Sequence, residues 1–406
     1  MLFAFVRLKK HMPQIKPDVE TFARIKVVGV GGSGKNAVNH MVNGKVSGVE
    51  FIAVNTDAQD LHHSLAKKKI HIGKNLTKGL GTGMNPDLGK RAAEETKEEI
   101  QEVLKGGDMI FIAGGLGGGT CSGASPVVAR TAKELGALTV AVVTKPFSFE
   151  GTQRMKVGEK ALEELRKEVD AIIVIPNDRI LSTVSKETTA RSAFALCDEV
   201  LKQAVEGISD LITTPGTINV DFADVRAILD NAGSALMGIG YGTGEKREEV
   251  AAKAAINSPL LDLSISGAKG VLFSIAGGDD LTMFEIQNAA KVITESIDPN
   301  AKVIFGTVYD NKLKKNEVKV TVIASGFPDN YPKKTLFQSE GENERERKGK
   351  IFNSIISPVL GSTKEVAKPN PVVLTATEEK KPAIKIEEED DDWGAVPAFL
   401  RRSKLK

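Results

Sequence analysis

The chain has 406 residues, of which 41% are hydrophobic and 27% charged, with a formal net charge of +2 at pH 7. That length gives two or three domains with proper cores, and the near balance of charge argues against a dominant nucleic-acid-binding surface. Two cysteines, Cys121 and Cys197, make no disulfide framework and suit a reducing cytosol, and no apolar run reaches the length of a membrane span.

Residues 1–23 read as an N-terminal extension. They open MLFAFVRLKK, apolar then basic, the reverse of a signal peptide, and Met12 is an alternative start. Arg24–Gly29 is a strand that runs into GVGGSGKNAV, Gly29–Val38, and then a helix. Gly29, Gly31 and Gly34 fit the dinucleotide fingerprint, which taken alone is a weak signal for an NAD(P)-dependent oxidoreductase. A Walker A reading holds as far as Lys35 but fails at Asn36, where a Mg²⁺-binding hydroxyl should stand. Lys35 reads as an added phosphate contact or, more simply, as a solvated lysine.

Val49–Asn55 is the next strand, ending in Asn55-Thr56-Asp57, which suits either a helix cap or a ligand at the sheet's carboxyl edge. A short basic strand, Lys68–Ile72, leads to a second glycine loop, KGLGTGMNPDLG, Lys78–Gly89, whose Asn-Pro-Asp starts a helix. Lys90–Leu104 has the pattern of one charged amphipathic helix. Asp108–Ala113 is a buried strand, followed by GGLGGGTCSG, Gly114–Gly123, and a helix over Ala124–Leu135. Strand, glycine loop and helix start together form a phosphate-binding geometry: backbone N–H groups approach an anion without a Cβ in the way, and the helix dipole adds to them.

Ala137–Thr144 is an apolar strand suited to a parallel sheet covered on both faces. In KPFSFEGTQR, Glu150 and Arg154 stand four apart and on their own read as a helix-surface ion pair. Val169–Asn177 is a further buried strand with polar Asn177 at its end. The strand–helix repetition predicts an α/β fold with a parallel sheet. Thr188–Leu211 is a long, largely buried helix, in which the default places Phe194 in the core and Asp198 on the surface. In NVDFADVR, Asn219–Arg226, Asp221 and Asp224 share a face of a first helical turn, where acids commonly complement the dipole. Strands and helices out to Ala324 then predict a smaller α+β domain, with Gly277–Asp280 a turn. From Pro328 the composition is that of a disordered linker, and the chain ends in WGAVPAFLRRSKLK, an apolar-plus-basic docking element.

GGLGGGTCSG resembles the GGGTGTG or GGGTGSG signature of the tubulin/FtsZ superfamily of GTPases. GVGGSGKNAV, KGLGTGMNPDLG, KPFSFEGTQR, NVDFADVR and the terminal PAFLRR are similar to motifs of its FtsZ branch, the bacterial cell-division GTPases. The likeness runs from about Arg24 to Gly326 and resumes in the last dozen residues. It implies a Rossmann-like parallel-sheet GTPase domain with the long central helix (24–212), a smaller C-terminal α+β domain (213–327), a disordered linker (328–388) and a partner-binding peptide (389–406).

The resemblance also implies a GTP site, with Mg²⁺ as cofactor and K⁺ as an optional addition; no protein metal ligands are assigned. Gly32, Ser33, Gly34, Lys35 and Asn36 would line the nucleotide, with Gly83 in the loop that senses the γ-phosphate. Gly117, Gly118, Gly119, Thr120 and Cys121 form the central loop. Glu150 would contact the ribose, Arg154 the base or ribose, and Asn177 the nucleotide. Phe194 would stack on guanine, while Asp198 accepts from its N1–H and 2-amino group and rejects adenine. Asn219, Asp221 and Asp224 would act on the GTP of the next subunit in a head-to-tail homopolymer. Asp392–Arg402 would dock membrane-tethering and regulatory division proteins, at a cytoplasmic midcell ring. One departure stands out: Cys121 replaces a glycine, so its side chain is expected to narrow the room beside the phosphates and, at a helix N-terminus, to be a reactive thiol. Two other classes stay open: the oxidoreductase, disfavoured by three glycine loops and by histidines confined to His11–His71, and a non-hydrolytic adaptor resting on the tail alone.

Overall fold

Ile25–Val30 (β1) is buried along its whole length, and the computed structural model shows why. Ile25 and Val27 face one core and Val28 and Val30 another, so the strand is covered on both sides. The structure describes residues 23–181, 184, 187–258, 265–310 and 312–327; most of the N-terminal extension, the linker and the terminal peptide lie outside them.

In chain order β1 is followed by α1 (Gly31–Asn43), β2 (Val49–Asn55), α2 (Ala58–His62), β3 (Lys68–His71), α3 (Lys74–Thr77), α4 (Pro86–Glu95) and α5 (Lys97–Leu104). Then come β4 (Met109–Gly115), α6 (Gly119–Glu134), β5 (Leu138–Lys145), α7 (Thr152–Glu168), β6 (Ala171–Pro176), α8 (Asn177–Leu181) and α9 (Ala190–Thr213). The remainder is α10 (Phe222–Leu229), β7 (Gly233–Thr243), α11 (Arg247–Ile256), β8 (Gly270–Gly277), α12 (Met283–Thr294), β9 (Lys302–Tyr309) and β10 (Glu317–Ser325).

All ten strands form one sheet in the order β3-β2-β1-β4-β5-β6-β7-β10-β8-β9. From β3 to β6 every pairing is parallel, as the strand–helix repetition predicts. β10 runs antiparallel to both β7 and β8, which gives the C-terminal part its α+β character. The sheet does not break between the two parts: β6 pairs with β7 from Ala171↔Gly233 to Ile173↔Ala235. One face of the parallel part is covered by α1 and α9, through Met41, Leu201, Val205 and Ile208. The other is covered by α4 to α7, through Ala92, Ile100, Val127 and Leu165.

The predicted single helix over Lys90–Leu104 is two, α4 and α5. Thr96 breaks it by donating its hydroxyl to Ala92 O (3.2 Å) while accepting the N–H of Gly73 (3.2 Å). Asn85 caps α4 through Leu88 N–H, with Pro86 in the first turn, as the Asn-Pro-Asp sequence predicts. Asp280, at the end of the Gly277–Asp280 turn, holds the buried guanidinium of Arg247 at 2.6 Å.

Candidate functional site

The sheet winds outward in both directions from β1 and β4, and doubly wound sheets take ligands in the crevice outside the strand ends at such a point. β1 runs straight into α1, and β4 runs through Leu116–Gly118 into α6. Neither helix has a side-chain cap on its first turn. Two uncapped N-termini, each with free N–H groups and a partial positive charge, therefore converge on one crevice. Gly34 makes this approach feasible, since a Cβ there would lie 2.5 Å from Ala113 O.

The crevice is a cavity of about 410 Å³. Of the residues the sequence singles out, Gly32, Ser33 and Asn36 form one wall, and Gly118, Gly119, Thr120 and Cys121 another. Glu150, Arg154, Asn177, Phe194 and Asp198 complete it. Hydroxyls lock the loops together: Thr120 Oγ1 lies 2.8 Å from Thr56 Oγ1 and 3.3 Å from Thr82 Oγ1. Gly115 N–H donates to Ser33 Oγ at 2.7 Å, and Gly117 N–H to Ser122 Oγ at 2.9 Å.

At the far end, Phe194 stands 47% exposed, with its ring edge-on to Phe147. Asp198, one helical turn along α9, is partly buried. Burial pushes its carboxyl up to about 6, against the opposing pull of His40 and Lys35. The default of Phe194 inside and Asp198 outside is thus reversed: the apolar ring is offered to the cavity and the acid is sunk in it. Asn177 Oδ1 is buried with no hydrogen-bond partner among the described residues, an acceptor left open at the cavity wall. Glu150 accepts the N–H of Phe147 at 2.9 Å and ion-pairs with Arg154, so the pair is structural as well as available to a ligand.

Several expected contacts sit elsewhere. Gly34 is packed under the loop, and Gly117 turns away beneath Pro146. Gly83 lies between Thr82 and Met84, which do line the cavity. Lys35 is neither solvated nor in the wall: it is 8% exposed, with Nζ 2.6 Å from Asp60 Oδ1. The expectations for Cys121 need correction too. Its side chain is turned into the core, against Gly114 and 3.4 Å from Ser125 Oγ, so it does not narrow the phosphate end. Burial pushes its thiol up to about 11, which outweighs the helix N-terminus.

Asn219, Asp221 and Asp224 lie outside the cavity. Asn219 Oδ1 accepts the N–H of Gly216 (2.8 Å), and Asp221 caps α10 by accepting the N–H of Ala223 (2.8 Å). Asp224 Oδ2 closes a capping box on Asp221 N–H at 3.3 Å. Sequence reasoning missed Thr82, Met84, Thr144 and Pro146 in the wall; the position of Thr144 and Pro146 at the carboxyl end of a strand was the available signal. Among the described residues no cluster of His, Cys, Asp or Glu forms a cation cage.

Residues 24–185 match the model of the Tubulin/FtsZ family GTPase domain, and residues 233–328 that of the FtsZ family C-terminal domain. Among solved structures, an empty FtsZ dimer from M. jannaschii is 46% identical, covering 75% of this chain and 88% of that one, with a TM-score of 0.72. A point mutant of FtsZ from the same organism is also 46% identical, covers 76% and 92%, and has a TM-score of 0.73. CetZ2 from Haloferax volcanii, a GTPγS-bound protofilament, is 21% identical over 75% and 94%, with a TM-score of 0.66, and shares the fold. The oxidoreductase alternative finds no support in these matches.

Proposed function

The chain belongs to the tubulin/FtsZ family of GTPases, and from that footing we propose that it polymerises head to tail with each active site completed by the next subunit. It is a cytoskeletal GTPase that binds GTP and hydrolyses it to GDP and phosphate. The phosphates sit at the N-termini of α1 and α6, and the base sits between Phe194 and Asp198. A carboxylate there suits the donor edge of guanine. Ribose contacts come from Glu150 and Arg154, and Asn177 Oδ1 takes a donor of the nucleotide.

One observation carries the proposal. The carboxylates in the cavity wall are Glu150, held by Arg154, and Asp198, at the base end. Neither is placed to orient water at the phosphate end. Asp221 and Asp224, with Asn219, lie on and before α10, away from the cavity of their own chain, and supply that group to a neighbour. Backbone amides neutralise charge developing on the phosphates. Mg²⁺, when bound with the nucleotide, would supply further neutralisation of the phosphate charge beside Thr120 and the amides of the central loop, and K⁺ would be an optional addition. A head-to-tail contact is heterologous and leads to a filament because it need not close. Exposed Leu80 and Phe149 at the cavity end, and Met283 and Phe284 on α12, supply apolar surface for it.

The terminal peptide Asp392–Arg402 docks membrane-tethering and regulatory partners, and the filament builds the ring at the division site in the cytoplasm. No helix among the described residues is long and apolar enough to cross a membrane. Sedimentation with GTP against GDP tests the reading. GTP should pellet the protein and GDP should not, whereas equal sedimentation in both, or preferential binding of ATP or NADH, would refute it.

A further inference from the structure

The buried Lys35 pairs with the half-buried Asp60 close to the nucleotide cavity. Lys35 Nζ lies 2.6 Å from Asp60 Oδ1, while Asp60 Oδ2 accepts from Asn55 Nδ2 at 2.8 Å. Asp60 thus joins α1 to α2 and to the carboxyl end of β2. Lys35 precedes Asn36 on α1, and Asn36 shares the cavity wall with Asp198. α1 also lies along α9, where His40 Nε2 meets Glu199 Oε2 at 2.7 Å, next in sequence to Asp198. The same pair of helices therefore carries Lys35, His40 and the base-reading acid.

We propose that Lys35 is a positioning residue for guanine recognition: fixed by Asp60 and Asn55, it places a buried positive charge behind Asp198 so that this side chain meets the base as a carboxylate. The inference rests on the reading that Asp198 faces the guanine edge. Lys35 is 8% exposed, so solvent screens its charge less than that of a surface lysine, and Asp60 offsets only part of it. From α1, the groups acting on Asp198 are His40 and Lys35, of which Lys35 is the permanent charge. On α9, Glu199 is engaged by His40 and by Lys202 at 3.0 Å. Across the cavity, Glu150 and Arg154 are ion-paired and more exposed than Lys35, so solvent screens them more. α8 adds Asp178, which accepts the N–H of Ser148 at 2.9 Å, and Arg179; β5 adds Lys145, and β9 adds Tyr309. Lys35 is the one of these that combines burial of its ammonium with a position beside the cavity.

A strut and a field make opposite predictions for the two partners of the pair. Lys35→Met removes the cation and leaves Asp60 uncompensated, which favours the protonated form of Asp198. Asp60→Asn leaves the cation unopposed, which favours the carboxylate. A purely structural strut would be broken alike by both changes.

The test uses the dilute full chain, below the concentration at which hydrolysis accelerates, and measures the affinity ratio of GTP to ITP across pH 5 to 8. ITP lacks the 2-amino group but carries the same phosphates, so phosphate titration cancels in the ratio. The wild-type ratio should fall as pH drops and Asp198 takes up a proton. Lys35→Met should move that midpoint up, Asp60→Asn should move it down, and Lys35→Arg should leave it in place. Shifts of the same sign in Lys35→Met and Asp60→Asn, or none in either, would overturn the proposal. Asp198→Asn separates the two levels. If it abolishes the pH dependence of the ratio while Lys35→Met leaves the midpoint unmoved, only the role of Lys35 fails. If the dependence survives Asp198→Asn, the assignment of Asp198 to the base fails.

Discussion

The hydroxyl oxygens of Thr56 and Thr120 lie 2.8 Å apart, which ties the central glycine loop to the carboxyl end of β2. Thr56 is fully buried, and only Thr120 reaches the cavity. Thr120→Val loses a hydroxyl in the cavity wall and the tie together, whereas Thr56→Val loses the tie alone. A hydrogen bond of this kind is worth about 1 kcal/mol, so Thr56→Val should weaken GTP binding by roughly fivefold and Thr120→Val by more. Titration calorimetry with GTP checks the order. Equal affinities in the wild type and both variants would show that the tie does not shape the loop.

Cys121 and Cys197 are both buried, and burial pushes their thiols up to about 11 and 12. Neither should react with an aromatic disulfide reagent at pH 8 in the folded chain, with or without GDP, and both should react once urea unfolds it. Rapid labelling of Cys121 in the native, nucleotide-free protein, with protection by GDP, would mean that its thiol reaches the phosphate end after all.

Asp210 sits on α9 four residues beyond Glu206, whose carboxylate is 2.7 Å from Lys312 Nζ. Burial and the charge of Glu206 push Asp210 up to about 6, against the pull of Lys319 and Lys312. A raised folded value means that the folded chain holds this proton more tightly than the unfolded one. Its contribution to stability is therefore present below the unfolded value near 4 and is lost as pH rises through about 6. Asp210→Asn should stabilise the fold at pH 8 by on the order of 1–3 kcal/mol, read as a higher melting temperature, and change little at pH 4. A variant destabilised at pH 8 would show instead that the ionised carboxylate is a favoured partner in this cluster.

Much of the parallel half of the fold was legible because its strands are buried on both faces. IKVVGV and LTVAVVTK are predominantly apolar runs, and each ends at a glycine or proline that marks a turn, Gly31 and Pro146. The phosphate end of the cavity could be read for the same reason, as glycine loops announce themselves locally. The split of Lys90–Leu104 at Thr96 could not, because the hydroxyl that breaks the helix is held by Gly73, far away in sequence. The burial of Lys35 depends on Asp60, contributed by a different element, so one lysine in a glycine loop gave no hint of it. Phe194 and Asp198 contradict ordinary burial preferences. Local pattern assigns them to the wrong environments, and only the resemblance pointed to the cavity.

Completion of each site by the next chain, as proposed above, is tested most directly by the rate of GTP hydrolysis per molecule as a function of protein concentration. That arrangement predicts a threshold near the assembly concentration. It further predicts that Asp224→Ala keeps GTP binding, keeps or increases polymer and loses roughly a hundredfold or more in turnover, as expected when a water-positioning group is removed. Mixed with wild type, the variant should lower the rate beyond simple dilution, because mixed contacts lack the acid. Full-rate hydrolysis by dilute, monomeric protein, or loss of GTP binding in Asp224→Ala, would contradict it.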